Sequence, residues 1–115
     1  MKRGEVWEVN LDLDPTVGAE IQKTRPCVIV GRDSLGKLPL RIIVPLTEWN
    51  PSFERAPWHV PVEATPENGL SKKSSADTYQ VRSISQERLT RRLGVLPDSV
   101  MQKIGQGLAI GLALA

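Results

Sequence analysis

Cysteine and histidine are almost absent from this 115-residue sequence, which contains one of each, Cys27 and His59. A single cysteine cannot form an internal disulfide or a cysteine-rich metal site, and a single histidine excludes a metal cluster with two histidine ligands. A catalytic triad that uses both residues is compatible with this composition, but Cys27 lies within an apolar run and His59 is distant from it in sequence. The scarcity of both residue types therefore argues against metal enzymology.

Long hydrophobic runs are also absent. The most apolar stretch, residues 107–115, is far shorter than the roughly 18 residues that a membrane-spanning helix needs. The amino terminus places Glu5 and Glu8 directly after Lys2 and Arg3, without the apolar segment of a signal peptide. We therefore expect a cytoplasmic protein with no membrane partner. With 40% hydrophobic and 24% charged residues, the chain is expected to fold as one domain over residues 1–115.

The net charge of +2 is small but unevenly distributed. Residues 1–25 and 26–70 each carry four basic and five acidic side chains, whereas residues 71–115 carry seven basic and three acidic ones. The segment balances are therefore −1, −1 and +4. A basic final third can attract phosphate groups, although each of its cations taken alone is better explained as a solvated surface residue.

Five segments have the alternation or the β-branched composition of strands. They are residues 5–11, 26–30, 41–46, 58–62 and 75–84. Pro26 is tolerated as the first residue of a buried strand because that position need not donate to the ladder, and Pro61 indicates a strand at a sheet edge. Thr47 closes the third segment.

Helical signals appear only in the final third of the chain. Ser85 is a candidate N-cap for a short helical turn over 85–89, and residues 92–96 fit a last short strand. Pro97-Asp98-Ser99 opens the clearest helix, and one apolar face is formed by Val100, Ile104, Leu108 and Leu112. Gly105, Gly107 and Gly111 each weaken this helix by about 1 kcal/mol, which indicates either close packing or a frayed end.

Strands followed by one terminal helix, without alternation of strands and helices, predict a mainly β (α+β) fold. We expect a small, strongly bent antiparallel barrel with a short helix and a C-terminal α-helix. The segments 46–57 and 64–73 are long loops for such a fold, and long loops often carry function.

Candidate functional residues occur in three places. Glu20, Lys23 and Arg25 directly precede an apolar strand, Thr47 ends the next one, and Gln80 and Arg82 share one face of the predicted strand over 75–84. From the pattern alone, an exposed Glu20–Arg25 ion pair, worth at most about 1 kcal/mol, explains the first group.

Four stretches taken together resemble a known family. They are Arg3–Trp7, Pro15–Glu20, Thr24–Val30 and Tyr79–Ile84, and the most specific parts are Gly18-x-Glu20 followed by Arg25-Pro26, and the segment 80–84. In register over essentially the whole chain, these stretches are similar to the MazF/PemK-type toxin endoribonucleases of bacterial type II toxin–antitoxin pairs.

The resemblance implies an SH3-like barrel of the plasmid-toxin type, usually a homodimer, that cuts single-stranded RNA without metal or cofactor and is inhibited by a cognate antitoxin. Arg25 and Thr47 match the family's catalytic positions, and Glu20 matches an acidic residue of less settled role. The loop over residues 15–23 would border the RNA channel. The RNA-binding residues predicted on this basis are Thr16, Gly18, Lys23, Trp49, Gln80 and Arg82.

Such a reaction needs little from the protein because RNA supplies its own nucleophile, the 2′-hydroxyl. Attack on the adjacent phosphate gives a 2′,3′-cyclic phosphate and a free 5′-hydroxyl. Arg25 offers a fork of donors to the phosphate oxygens, where one well-placed donor is worth roughly 3–4 kcal/mol. Thr47 can bind the same group, and Glu20 can accept the 2′-hydroxyl proton or orient Arg25. An arginine is a poor general acid at neutral pH, since its pKa exceeds about 12.

Several interpretations stay open at this stage. Trp49 and Phe53 either stack on an RNA base, worth about 1–3 kcal/mol, or bury against the barrel. His59 is interpreted as structural. The RNA sequence that is cleaved does not follow from the protein sequence, because base choice is set by loops such as the one that carries Trp49 and Phe53. A non-enzymatic toxin of the same fold that binds DNA gyrase, or an inactive RNA-binding relative, is the alternative function. The complete set of Glu20, Arg25 and Thr47 favours the nuclease.

Overall fold

Seven strands and one α-helix make up the computed structural model, which describes residues 1–12, 17–21, 23–33 and 37–114. The strands are β1 (Glu5–Asn10), β2 (Thr24–Ile29), β3 (Leu40–Glu48), β4 (His59–Val62), β5 (Ser74–Asp77), β6 (Arg82–Ser85) and β7 (Leu89–Val95). The helix α1 spans Asp98–Gly111, and single 3₁₀ turns span Pro51–Arg55, Thr78–Gln80 and Gln86–Arg88.

Every strand pair in the sheet is antiparallel, in the order β4-β5-β3-β2-β1-β7. The long strand β3 has two partners on its other side: β6 along Leu40–Ile43 and β5 along Leu46–Glu48. Pro45, which has no N–H to donate, lies in the gap between these two partners. The sheet therefore changes direction along β3, which produces the bent, barrel-like shape.

Alternating side chains on the central strands fill two separate hydrophobic cores, one on each face of the sheet. Val6, Val28 and Val44 belong to the first core, which α1 covers with Met101 and Ile104. The second core lies on the opposite face and contains Val9, Leu11, Cys27, Ile29, Ile43, Ile84 and Leu89. Because both faces are covered, β2 and β3 are apolar throughout their centres.

The predicted fold class is confirmed, and four of the five predicted strands lie where expected with shifted ends. Pro26 is not the first residue of its strand, because β2 begins at Thr24 and Pro26 pairs with Glu8. It is tolerated because β3 pairs with β2 only from Cys27 onward. Pro61 does lie on the edge strand, β4.

The segment 75–84 is not one extended strand, and this prediction is wrong. The chain leaves β5 at Asp77, turns through Thr78–Gln80 and enters β6 at Arg82. Thr78 holds the turn, since its backbone N–H and its hydroxyl both donate to the carbonyl oxygen of Trp58. The turn is required because β5 and β6 pair with different parts of β3. Consequently Gln80 and Arg82 do not share a strand face.

The C-terminal third follows the sequence more closely. Ser85 caps the turn Gln86–Arg88 by accepting a hydrogen bond from the N–H of Glu87, and β7 starts three residues earlier than predicted. Ile104 is buried in the first core, whereas Leu112 lies beyond the end of α1 and is 56% exposed, contrary to its predicted place on the apolar face. No described helix has the length and apolar character needed to cross a membrane.

Of the three glycines in α1, only Gly107 lies where packing leaves no room for a side chain. A Cβ atom on Gly107 would lie 2.9 Å from Oγ1 of Thr78, whereas one on Gly105 would meet nothing within 4 Å. We expect Gly107→Ala to lower the free energy of unfolding by about 1–2 kcal/mol, because Thr78 is fixed by its hydrogen bond to Trp58. Gly105→Ala should raise it by about 1 kcal/mol. Urea denaturation of both variants checks this, and a stabilised Gly107→Ala protein would contradict the packing argument.

Glu5 gives the fold a pH dependence. Burial alone would raise its pKa, but hydrogen bonds from the indole of Trp7 and the backbone of Lys2 lower the pKa from 4.5 to about 2. The carboxylate therefore stabilises the fold above its ordinary pKa, and this contribution is lost as the pH falls towards 2. We expect Glu5→Gln to cost about 1 kcal/mol at neutral pH, allowing for solvent screening, and much less near pH 2. Denaturation curves at both pH values measure the difference; equal losses would exclude this explanation.

Candidate functional site

Arg25 and Thr47 lie just beyond the last paired residues at one end of the β2–β3 ladder. The last paired residues at this end are Cys27 and Pro45. Continued by two residues in the same register, the ladder places Arg25 across from Thr47. Arg25 is exposed and Thr47 is half-buried. The two predicted catalytic residues therefore lie on adjacent strands near this end of the ladder, although Thr47 does not line the cleft that contains Arg25.

Both side chains belong to the face of the sheet that carries the second core, because they alternate in step with Cys27 and Ile43. Apolar residues cover this face at one end of β3, and polar residues replace them at the Thr47 end. Burial raises the pKa of Cys27 to about 12, against the opposing charge of Arg82. The thiol is therefore protonated and does not serve as a nucleophile.

The surroundings of Arg25 are mixed in charge. Arg25 lines a cleft of about 380 Å³ together with Lys72 and Arg91. Lys72 pairs with Glu48 at 3.2 Å and Arg91 pairs with Glu8 at 3.0 Å. Carboxylates thus engage Lys72 and Arg91, and Arg25 is a third cation in the same cleft.

Glu20 occupies a different cleft, of about 420 Å³, whose lining includes Tyr79, Gln80 and Arg82. Its loop turns at Gly18, which has a positive φ of 59° that glycine adopts without strain. In the described part of the chain, Glu20 forms no ion pair with Arg25. The salt bridge suggested by the sequence is therefore not present.

Gln80 and Arg82 hold the loop over residues 17–21 in place. The Gln80 side chain accepts a hydrogen bond from the N–H of Ile21 at 2.8 Å and donates to the carbonyl oxygen of Ala19 and to Asp77, both at 3.2 Å. Arg82 donates to the carbonyl oxygen of Ile21 at 3.3 Å. The two residues expected to contact RNA thus position the loop that carries Glu20, and RNA contact by them stays a prediction.

Lys23 is exposed at the start of β2 and adopts a positive φ of 70°. Its backbone is fixed on both sides, since its N–H donates to the carboxylate of Asp12 and its carbonyl oxygen accepts from Leu11. These bonds fix the position of the Lys23 Cα atom, two residues before Arg25, from which the exposed side chain extends. Thr16, also expected to bind RNA, lies outside the residues that the structure describes.

Trp49 and Phe53 form an aromatic cluster beside Thr47 and are half-buried. Phe53 meets Trp49 edge-on at 5.7 Å and stacks in parallel on His59 at 3.8 Å. The Nζ of Lys73 lies 4.8 Å from the centre of a Trp49 ring. Phe53 is therefore engaged with His59, and Trp49 offers part of its surface at the rim of the site.

Sequence reasoning missed a set of buried polar residues next to Thr47. Ser75 and Asp77 on β5 are buried, and among the described residues Asp77 Oδ1 has no hydrogen-bond partner. The available signal was the unusual polarity of a buried strand, β5, that pairs on both sides, with β4 and with β3. The described residues contain no group of three or more histidine, cysteine, aspartate or glutamate side chains placed to hold a metal ion.

Comparison with known proteins gives consistent results. A family model described as PemK-like, MazF-like toxin of type II toxin-antitoxin system matches residues 2–112. The chain is 33% identical over 120 residues to Endoribonuclease MazF9 of Mycobacterium tuberculosis, covering 99% of this chain and 98% of that protein.

Solved structures share the fold. A crystal structure of MazF from Deinococcus radiodurans has a TM-score of 0.78 at 21% identity, covering 98% of this chain and 96% of that one. An endoribonuclease in complex with its cognate antitoxin from a mycobacterial species has a TM-score of 0.72 at 21% identity, covering 100% and 97%. With a family match over nearly its whole length and a full-length relative at 33% identity, the chain belongs to the PemK-like, MazF-like toxins of type II toxin–antitoxin systems.

Proposed function

We propose that this protein is a sequence-specific endoribonuclease toxin that cleaves single-stranded RNA without a metal ion and is inhibited by a cognate antitoxin. The observation that carries the proposal is the full-length match to a relative named as an endoribonuclease. The position of Arg25 beside Thr47 at the open end of the β2–β3 ladder supports it, since the pair combines an exposed cation with a neighbouring hydroxyl.

In the proposed reaction the 2′-oxygen attacks the adjacent phosphorus while the bond from phosphorus to the 5′-oxygen breaks. The 2′-hydroxyl gives up its proton, and the departing 5′-oxygen gains one, so the products are a 2′,3′-cyclic phosphate and a 5′-hydroxyl. Arg25 binds two phosphate oxygens through its fork and stabilises the negative charge of the transition state. Thr47 donates a hydrogen bond to the same phosphate group.

The sequence allowed two roles for Glu20, acceptance of the 2′-hydroxyl proton and orientation of Arg25. Glu20 lines a different cleft from Arg25, which favours the first role. We assign it the proton-accepting role, which requires the RNA to cross from the cleft of Arg25 to the cleft of Glu20. Lys23 and Trp49 lie at the edges of this path and would bind backbone and base, respectively.

The antitoxin segment is expected to be acidic and to lie over the same surface, where its carboxylates would meet Arg25 and Lys23. Mycobacterial and Deinococcus members of this fold have been solved with an antitoxin. We further place the toxin in the cytoplasm as a homodimer. Light scattering of the purified chain measures the oligomeric state.

One experiment tests most of the proposal. The purified protein is incubated with a long single-stranded RNA in excess chelator, and the new ends are mapped. We expect a few discrete cuts with cyclic phosphate on the 3′ ends and hydroxyl on the 5′ ends. RNA left intact, or products that carry 5′-phosphates, would contradict the mechanism. Inhibition of gyrase supercoiling without RNA cleavage would favour the alternative toxin class.

A further inference from the structure

A row of polar side chains crosses the sheet from the proposed catalytic residues to the only histidine. Thr47 on β3 lies directly across from Ser75 on β5, and Asp77 on β5 lies directly across from His59 on β4. Side chains of residues paired in this way point to the same face, so Arg25, Thr47, Ser75 and His59 share one surface. We call these four residues the polar row.

The end of the polar row at His59 is rigid. Nδ1 of His59 is 2.8 Å from Oγ of Ser75, and Ser75 is 0% exposed. The ring of Phe53 lies parallel to the imidazole at 3.8 Å, with only 3° between the planes. The stacking and the hydrogen bond together fix the imidazole with Nδ1 towards the hydroxyl.

The two residues in the middle of the polar row, Thr47 and Ser75, lie directly opposite each other, and in the described residues no hydrogen bond joins their hydroxyls. Residues directly opposite in an antiparallel pair have Cβ atoms about 4.5–5.5 Å apart, a distance that rotation about two Cα–Cβ bonds can bridge with a hydrogen bond. A hydroxyl has one hydrogen, so a chain of hydroxyls donates in one direction at a time. The direction of donation along the chain is set by whether the group at its end donates or accepts a hydrogen bond.

We propose that His59 is a positioning residue for RNA cleavage: through Ser75 it determines whether Thr47 donates its hydroxyl hydrogen to the phosphate. When Nδ1 carries a hydrogen it donates to Ser75, Ser75 donates to Thr47, and the hydroxyl of Thr47 turns to the substrate. When Nδ1 is unprotonated it accepts from Ser75, Ser75 accepts from Thr47, and the phosphate loses this donor. The inference rests on the proposed function of Thr47.

Charged residues lie around His59 on several elements. Asp77 faces it from β5, and Lys73, just before β5, is held over Trp49 and paired with Glu63 at 3.5 Å. Glu54 and Arg55, on the turn that carries Phe53, add one charge of each sign. Asp77 is thus the buried carboxylate that lies directly across from His59 in the register.

The proposal predicts a particular pH profile. Protonation of Nδ1 turns the imidazole into a donor to Ser75, so the relay depends on pH, and a variant without the imidazole lacks this dependence. The single-turnover cleavage rate of the natural protein relative to His59→Gln should therefore be about tenfold higher at the acidic end of the pH profile and should approach one at its alkaline end. His59→Asn places an amide donor near the position of Nδ1 and should recover most of the rate, without a pH dependence of the ratio.

A double-mutant cycle separates this role from general stability. Ser75→Ala should lower the rate about tenfold at the acidic end, as His59→Gln does, and neither change should have a further effect in a Thr47→Ala background. Ser85→Ala is the control, because the hydroxyl of Ser85 caps the turn Gln86–Arg88 and is not part of the polar row. Melting temperatures of all variants show that they are folded.

The outcomes are distinct. Non-additive losses that disappear in the Thr47→Ala background support the proposal. Additive losses of cleavage rate, or equal losses at every pH, would show that His59 is only a structural residue. Either result would overturn this proposal and would leave the proposed nuclease function unaffected. An unmodified protein that cleaves no RNA would overturn the proposed function and the polar row together.

Discussion

Replacing Arg25 by alanine is expected to lower the rate of RNA cleavage by at least about a thousandfold. Removal of one preorganised donor at a developing anion typically costs a hundred- to a thousandfold, and a guanidinium supplies two donors and a full charge. The two neighbouring cations in its cleft, Lys72 and Arg91, are paired with carboxylates and do not replace it. Single-turnover cleavage of a defined RNA in chelator measures the loss.

Three further variants make the Arg25 experiment specific. Arg25→Lys keeps the charge without the fork and should recover only part of the rate. Arg32, an exposed arginine just after the other end of β2, is the matched control, and Arg32→Ala should cleave normally. Thr47→Ala should lower the rate less than Arg25→Ala, because it removes a neutral donor. Full activity of a folded Arg25→Ala protein would remove the proposed mechanism.

The sequence predicted the elements of this fold because their signals are local. β-Branched runs identified β2 and most of β3, and the Ser85 cap and the Asp98 start were visible as residue types. Errors arose where a strand changes partner. The turn Thr78–Gln80 is needed because β3 pairs with β6 along one half and with β5 along the other, and Pro45 lies between these two partners. Pairing between residues so distant in sequence produces no periodic pattern of apolar residues in the sequence.

The candidate site was predictable as residues but not as an arrangement. Family resemblance marked Arg25, Thr47 and Glu20, whereas only the register shows Arg25 beside Thr47 and Glu20 in another cleft. The hydrogen bond of His59 to Ser75 joins residues 16 positions apart on neighbouring strands. The polar row takes only one side chain from each strand, so no strand contains a repeated sequence pattern that marks it. It is visible only from the pairing of the strands.

The loop between β4 and β5 is organised by a buried side chain that the sequence pattern did not reveal. Sequence length and composition indicated a long loop over residues 64–73, yet its centre is organised by Asn68, which is 2% exposed. Oδ1 of Asn68 accepts from the backbone N–H groups of Thr65 at 3.1 Å and Leu70 at 3.0 Å, and Nδ2 donates to the carbonyl oxygen of Glu63 at 2.8 Å. One side chain therefore satisfies three backbone groups.

Asn68→Ala is expected to lower the free energy of unfolding by about 3–5 kcal/mol, because it leaves those backbone groups without their partner in a loop that packs on β7. The close fit of the loop prevents compensation: a Cβ atom on Gly94 would lie 2.2 Å from the carbonyl oxygen of Glu67. Asn50→Ala is the matched control, since Asn50 makes a similar bond to the N–H of Ser52 from an exposed position and should cost about 1 kcal/mol. Urea denaturation compares the two, and equal losses would show that burial of Asn68 does not amplify its hydrogen bonds.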